Sequence, residues 1–278
     1  MRKKILEFNE SITEDDLKMN PAEIKKIEVL TETLMKTSYY HATKLSTQAA
    51  TLMLRKLTKW PISNLFVVVD LLRVVMTHPY AHLFRDAVNS VIEVFVGTFK
   101  DDKTLNSIEF PAKQQRILKI LTLRLLSNMF ATVDMCKSIV HTPTKLHQVL
   151  NVVSSYLLHP TDKTFRQTAA TCLLNMTYAL TSHYDKSMPK KIAETLVTQL
   201  FALGVKGLEN SRNEDDKKSL NDLYFHRVAT CVGTLLVSEN SRPLLFGHPD
   251  LKFVKSFSIE TEKRGLLRDL LAVSSTLA

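Results

Sequence analysis

LTLRLLSNMF at 121–130 and ATCLLNMTYA at 170–179 are two versions of one apolar stretch, and both contain the pattern L-x-N-M. The pattern places Asn128 and Asn175 at equivalent positions, and the apolar residues around them recur with helical spacing. Similarity that returns after about 40–47 residues, with longer intervals where loops are inserted, is typical of armadillo and HEAT repeats. The sequence therefore predicts an all-α fold, an armadillo/HEAT-like superhelical solenoid.

The register of these two stretches extends to two further helices. Its first position holds Arg73, Arg124, Thr171 and Arg227, and the position one turn later holds Thr77, Asn128, Asn175 and Cys231. Residues one turn apart lie on the same face of a helix, and equivalent helices of a solenoid line one continuous groove. We therefore predict that the polar residues of this register face a groove that binds a ligand, whereas Cys231, inside an apolar helix, is expected to be buried as a small hydrophobic residue.

Helical periodicity covers almost the whole chain. The predicted helices lie at 21–37, 43–58, 62–77, 81–99, 111–131, 144–158, 163–182, 190–208, 215–237 and 260–272. VFVGTF at 94–99 resembles a strand, but it continues the helical pattern before it. His-Pro pairs at 78–79, 159–160 and 248–249 predict helix ends, because the residue before proline avoids the α conformation. These histidines are expected to be turn residues rather than ligands.

The chain contains no linker rich in proline, serine or glycine. We therefore predict a single domain over residues 1–278. Residues 1–20 are charged and weakly patterned, which predicts a lead-in that is either extended or a short helix.

The composition favours a binding protein over an enzyme. The sequence has no glycine-rich phosphate loop and no G-x-S-x-G motif, and Cys136, Cys172 and Cys231 lack the context of a nucleophile. His141 and His147 have no partners at zinc spacing, so no metal and no other cofactor is expected. The net charge of +9, from 37 basic and 28 acidic residues, favours an acidic partner.

Cysteine usage and the lack of long apolar runs predict the compartment. Three widely spaced cysteines are typical of reduced intracellular thiols. No apolar run reaches the length of about 18 residues that a membrane span needs, and MRKKILEFNE has no signal-peptide core. We therefore predict a soluble protein of the cytoplasm, with the nucleus as a second compartment and no membrane partner.

Three segments together resemble the PUL domain, the C-terminal module of PLAA-type ubiquitin-pathway proteins. LMLRKLTKWPISNLFVVVDLLRVVMTHP at 52–79 contains Trp60-Pro61, Asp70, Arg73 and His78-Pro79. LTLRLLSNMF contains Arg124 and Asn128, and FHRVATCVGTLLVSENS at 225–241 contains Arg227, Gly233-Thr234-Leu235 and Glu239-Asn240. The similarity extends over essentially the whole chain.

The resemblance implies about six armadillo-like repeats, no catalysis and a peptide ligand. In PUL domains, a basic groove binds the extreme C-terminal tail of the hexameric AAA ATPase called valosin-containing protein. That tail is acidic and carries an aromatic residue near its end. Related proteins contact ubiquitin through other domains that this sequence does not contain, so ubiquitin is expected as a partner only through such domains.

The predicted peptide-binding residues are Arg73, Arg124, Asn128, Asn175 and Arg227. An arginine can bind a carboxylate with two parallel hydrogen bonds, and an asparagine offers a peptide backbone both a donor and an acceptor. In the alternative interpretation, each arginine only extends past its apolar neighbours into solvent, and the asparagines cap turns or bond between repeats.

Two other functions stay open in the sequence. A basic helical-repeat protein could hold nucleic acid, but a dense Lys/Arg stripe with interleaved aromatic residues is missing, so nucleic acid is not the expected partner. The domain could also be fused, in its natural chain, to a peptidase or a thioredoxin-like module.

Overall fold

Capping signals in the sequence determine where helices begin. The side chain of Asn20 accepts a hydrogen bond from the main-chain N–H of Glu23, and the carboxylate of Glu23 accepts one from the N–H of Asn20, both at 2.9 Å. This reciprocal pair is a capping box, and Pro21 follows it at the first helical position. The hydroxyl of Ser46 likewise accepts from the N–H of Gln48 at the start of the next helix.

The computed structural model describes residues 2–36, 43–99, 111–130, 132–140, 142–182, 190–212, 223–254 and 256. The chain divides into two compact units, Met1–Val140 and His141–Ala278. The described α-helices of the first unit are α1 (Arg2–Ser11), α2 (Pro21–Met35), α3 (Thr47–Arg55), α4 (Leu65–Val75), α5 (Arg85–Phe99), α6 (Ala112–Met129) and α7 (Val133–Val140). Those of the second are α8 (Pro143–Leu157), α9 (Lys163–Ser182), α10 (Lys190–Arg212) and α11 (Leu223–Val237).

Helix α4 forms the centre of the first unit. Its residues Val67, Val68, Val69, Leu71 and Leu72 are all buried. A helix that is apolar on most sides needs partners on most sides, and α4 packs against α6 as well as against α1 and α2. The polar residues of α4 that stay partly exposed are therefore confined to a narrow edge.

In the second unit, α11 packs closely against both α9 and α10. Two glycines of α10 permit this approach. A Cβ atom at Gly204 would lie 2.7 Å from Val232 Cγ2, and one at Gly207 would lie 2.9 Å from Val228 Cγ1. Both distances are too short for a side chain, so glycine is required where the two helices meet.

For residues 1–20 the sequence left open an extended segment or a short helix, and the structure shows the short helix α1. Asn9 holds the turn that follows α1, because its side chain accepts from the N–H of Met19 at 2.7 Å and donates to the Met19 carbonyl at 3.2 Å. The indole Nε1 of Trp60 donates to the carbonyl of Leu17 at 3.2 Å. The lead-in is therefore fixed to the first unit by side chains.

The three His-Pro pairs share one local hydrogen bond. Nδ1 of His78 accepts from the N–H of Tyr80 at 3.1 Å, and Nδ1 of His248 accepts from the N–H of Asp250 at 3.3 Å. His159 does the same with Asp162 at 3.0 Å. The prediction that these histidines are turn residues is confirmed.

The predicted all-α class is confirmed, and within each unit equivalent helices pack side by side as they do in solenoids. VFVGTF at 94–99 is helical, as predicted. Helix α7 was not predicted, because eight residues are too few to show a helical period. The predicted helix at 260–272 and the first residues of the one at 215–237 lie outside the described residues. The number of repeats and the single domain over 1–278 stay predictions.

Candidate functional site

Arg73 is held by a carboxylate of its own helix. Its Nε and Nη2 both donate to Oδ1 of Asp70, at 3.0 and 2.7 Å. The two side chains keep 30% of their surface exposed, so the pair is partly solvated and contributes at most about 1 kcal/mol to stability. The pair fixes the direction of the guanidinium, and Nη1 takes no part in it.

Asn128 links two helices of equivalent register. Its Nδ2 donates to the main-chain carbonyl of Arg73 at 2.8 Å, which joins α6 to α4. This is the bond between repeats that the sequence left open as the alternative for the asparagines. Asn128 therefore has a structural function next to Arg73, and a role in ligand binding stays a prediction.

Arg124 is an exposed cation on α6, one turn before Asn128. It makes no hydrogen bond or ion pair with any residue in the part of the chain that the structure describes. Asn128, one turn later on α6, bonds to the main-chain carbonyl of Arg73 on α4. Helix α6 thus carries an exposed, unpaired guanidinium one turn before its link to Arg73.

Arg227 links the two equivalent helices of the second unit. Its Nη1 donates to the main-chain carbonyl of Gln167 at 3.0 Å, which joins α11 to α9. The same carbonyl accepts from the hydroxyl of Thr171 at 2.8 Å. The side chain of Arg227 is half-buried. Because it bonds the two helices together, this arginine contributes to the stability of the fold.

Asn175 and Cys231 occupy the position that Asn128 has in the first unit. Asn175 is half-buried on α9. Cys231 is fully buried, with Sγ 2.9 Å from the hydroxyl oxygen of Thr177, and burial raises the pKa of its thiol to about 12. The expectation that Cys231 is buried as a small apolar residue is confirmed, and close packing of α11 against α9 places it in the core.

The predicted site residues are divided between the two units. Arg73, Arg124 and Asn128 lie together in the first unit, and Asn175 and Arg227 lie in the second. That all five line one groove stays a prediction.

A groove of about 810 Å³ runs along α11 in the second unit. Residues of α11 that line it include His226, Thr230, Gly233, Thr234 and Val237, which lie on one face of the helix. All five belong to the segment 225–241 that resembles the PUL family, but none was predicted to line a site. Their recurrence at helical spacing could have indicated an open face.

The groove combines apolar and hydrogen-bonding surface. Val237 is 63% exposed, and Thr181 of α9 contributes a hydroxyl. Glu239 and Asn240, in the turn after α11, also line it. Such a lining suits a peptide, which presents both backbone amides and side chains.

The thiols and the acidic groups of the described chain give no support to catalysis or metal binding. Burial raises the pKa of Cys136 to about 11 against the opposing effect of Lys137, so the reactive thiolate is scarce near neutral pH. Within the described ranges, no three histidine, cysteine or acidic residues are placed to hold a metal ion. None of the described helices has the length and apolar character that crossing a bilayer requires.

The stacked helices, joined by side-chain bonds to main-chain carbonyls, define an all-helical, repeat-like domain. More specifically, the PUL domain family model matches residues 1–245, and the chain belongs to this family. PUL is a protein-interaction domain and not a known catalytic family. No match to a curated protein or to a solved structure was found.

Proposed function

We propose that this chain is a non-catalytic adaptor domain that binds the acidic C-terminal tail of the hexameric AAA ATPase valosin-containing protein, and so links that ATPase to the ubiquitin pathway. Membership of the PUL family supports a protein partner. The net charge of +9 favours an acidic one.

The observation that carries the proposal is the unpaired, exposed guanidinium of Arg124, one turn before the residue that links α6 to Arg73. Asp70 orients the guanidinium of Arg73 and leaves its Nη1 outside the pair. Carboxylates of the tail can therefore bind Arg124, or Nη1 of Arg73, without first breaking an ion pair of the domain. Charge-assisted bonds of this kind are the strong ones in peptide recognition.

In the second unit, the groove along α11 offers the complementary surface. Its hydroxyl groups can bond to an extended backbone, and the exposed Val237 can contact an apolar side chain. Arg227 lies on the same helix and is oriented by its bond to Gln167.

Fluorescence polarisation with a labelled peptide of the ATPase tail tests the proposal. Wild-type protein is expected to bind, and the double variant Arg124→Ala with Arg227→Ala is expected to lose more than about a hundredfold in affinity, since an anchoring arginine contributes about 2 kcal/mol or more. Lys113→Ala, an exposed cation on α6, is the matched control and should bind as the wild type does.

Absence of binding at moderate salt, or equal affinity for the double variant and the wild type, contradicts the proposal. Binding of single-stranded RNA with a steep fall in affinity as salt rises would indicate a nucleic-acid partner instead.

A further inference from the structure

The first unit has a second groove, formed by α2 and α3, that shares no lining residue with the candidate site. Two adjoining cavities of about 350 and 180 Å³ make up this α2–α3 groove, and Lys26 lines both. Gln48, Thr51 and Arg55 of α3 line the larger cavity. Lys44 lines the smaller one.

The acidic residue in the groove is already bound. Nζ of Lys56 lies 2.9 Å from the carboxylate of Glu23, and it also donates to the carbonyl of Lys18 at 2.8 Å. Partial burial acts to raise the pKa of Glu23, but the main-chain bond from Asn20 and the ammonium of Lys56 hold that pKa below its usual value. Glu23 therefore stays ionised and is satisfied within the wall of the groove.

Three further basic residues of the groove make no close contact of this kind, although the charge of Lys26 also helps to lower the pKa of Glu23. Lys26, Lys44 and Arg55 form no hydrogen bond or ion pair with any of the residues that the structure describes. Lys26 is half-buried, and the other two are exposed. A cluster of cations that outnumbers the acidic groups beside it attracts anionic groups.

We propose that the α2–α3 groove is a second docking site, which binds an extended segment of a protein partner rich in aspartate and glutamate. From Glu23 to Thr33, α2 rises about 15 Å, which matches about four or five residues of extended peptide. The cations of the groove bind the carboxylates. The hydroxyl oxygen of Thr51, which donates its own proton to the Thr47 carbonyl, accepts from a peptide N–H, and the amide of Gln48 bonds to the backbone as well.

The lining of the groove favours a peptide over a nucleic acid. Single strands bind where aromatic side chains stack on the bases, and the described lining of this groove contains no aromatic ring. The half-exposed Val29 adds an apolar contact for a side chain of the peptide.

A short fluorescein-labelled peptide of alternating glutamate and serine is the probe for this site. The double reversal Lys26→Glu with Arg55→Glu is expected to weaken its binding more than about tenfold. Lys59→Glu with Lys113→Glu changes the net charge equally at two exposed sites outside the groove and is the matched control. Thr51→Trp fills the larger cavity without a change of charge, so it should weaken binding as well.

The proposal is overturned if the probe does not bind, if the control reversal weakens binding as much as the groove reversal, or if Thr51→Trp binds as the wild type does. If only the double variant Arg124→Ala with Arg227→Ala weakened binding of the probe, the probe would be bound at the tail site. That result would also overturn the proposal. Conversely, Lys26→Glu with Arg55→Glu should leave the affinity for the ATPase tail within about threefold, so the two proposals can fail separately.

Discussion

In each of the two units, a side chain of one helix bonds to a main-chain carbonyl of the neighbouring equivalent helix, but the side chain differs. In the first, Asn128 of α6 bonds to the carbonyl of Arg73 on α4, and in the second, Arg227 of α11 bonds to the carbonyl of Gln167 on α9. Each bond reaches the main-chain carbonyl of the residue four positions before the equivalent one on the neighbouring helix. The consequence differs: an asparagine makes the link in the first unit and leaves Arg124 free, whereas an arginine makes it in the second.

This difference shows that equivalent positions in a repeat need not have equivalent functions. A guanidinium that holds the fold is less available to a ligand than one that does not. In the first unit the structural link and the exposed arginine are therefore different residues, whereas in the second the link is made by Arg227 itself.

The largest expected effect comes from breaking the glycine contact between α10 and α11 in the second unit. Gly207→Val places side-chain atoms against Val228, whose Cγ1 would already be 2.9 Å from a Cβ. Overpacking of this kind should lower the free energy of unfolding by about 3 kcal/mol. Denaturant unfolding followed by circular dichroism measures it. Thr195→Val, at an exposed site of the same helix, is the control, and equal stability of the two variants would contradict the packing described here.

Removal of the link in the second unit should have the next largest effect. Arg227→Met keeps the apolar stem but cannot donate to the Gln167 carbonyl, which should cost about 2 kcal/mol because the bond involves a charged donor. Arg227→Lys keeps a cationic donor and should recover part of this loss. If Arg227→Met unfolds at the same denaturant concentration as the wild type, Arg227 is not a structural link.

The corresponding change in the first unit should cost less, since the donor is neutral. Asn128→Ala is expected to lower the free energy of unfolding by about 1 kcal/mol. Trp60 is the only tryptophan of the chain and is buried in the first unit, so its fluorescence reports this loss directly. Asn128→Asp keeps the size but removes the donor, and it should be at least as destabilising. A stable Asn128→Asp variant would show that the link contributes nothing.

The smallest effect is expected from acid, and it should be confined to the first unit. Because Glu23 has its pKa lowered in the folded state, its contribution is present above the ordinary carboxyl pKa of about 4 and is lost as the pH falls through the folded value. Glu23→Gln should therefore be less stable than the wild type at neutral pH, and the difference should vanish in acid. Unfolding of the first unit is followed by the fluorescence of Trp60. If the stability difference between Glu23→Gln and the wild type is the same at every pH, the ionisation of Glu23 is not its cause.

The sequence predicts the fold class well because helical periodicity and capping are local. The capping box at Asn20 and Glu23 and the turns at the His-Pro pairs involve residues within one turn of each other. Whether a site residue is bonded within the protein or free to bind a ligand depends on residues that are distant in the sequence. Asn128 and Arg73 are 55 residues apart, and Arg227 and Gln167 are 60 apart, so no local pattern distinguishes the arginine that makes a link from the one that is free. The groove along α11 was not predicted for the same reason.

The most direct test of the account compares tail binding by Arg124→Ala and Asn128→Ala, with unfolding of both variants measured in parallel. Arg124→Ala is expected to weaken binding of the ATPase tail peptide by about thirtyfold, equivalent to about 2 kcal/mol, with unchanged unfolding. Asn128→Ala is expected to lose stability and to retain most of the affinity. Wild-type affinity in Arg124→Ala would contradict the claim that the unpaired arginine of the first unit binds the ligand.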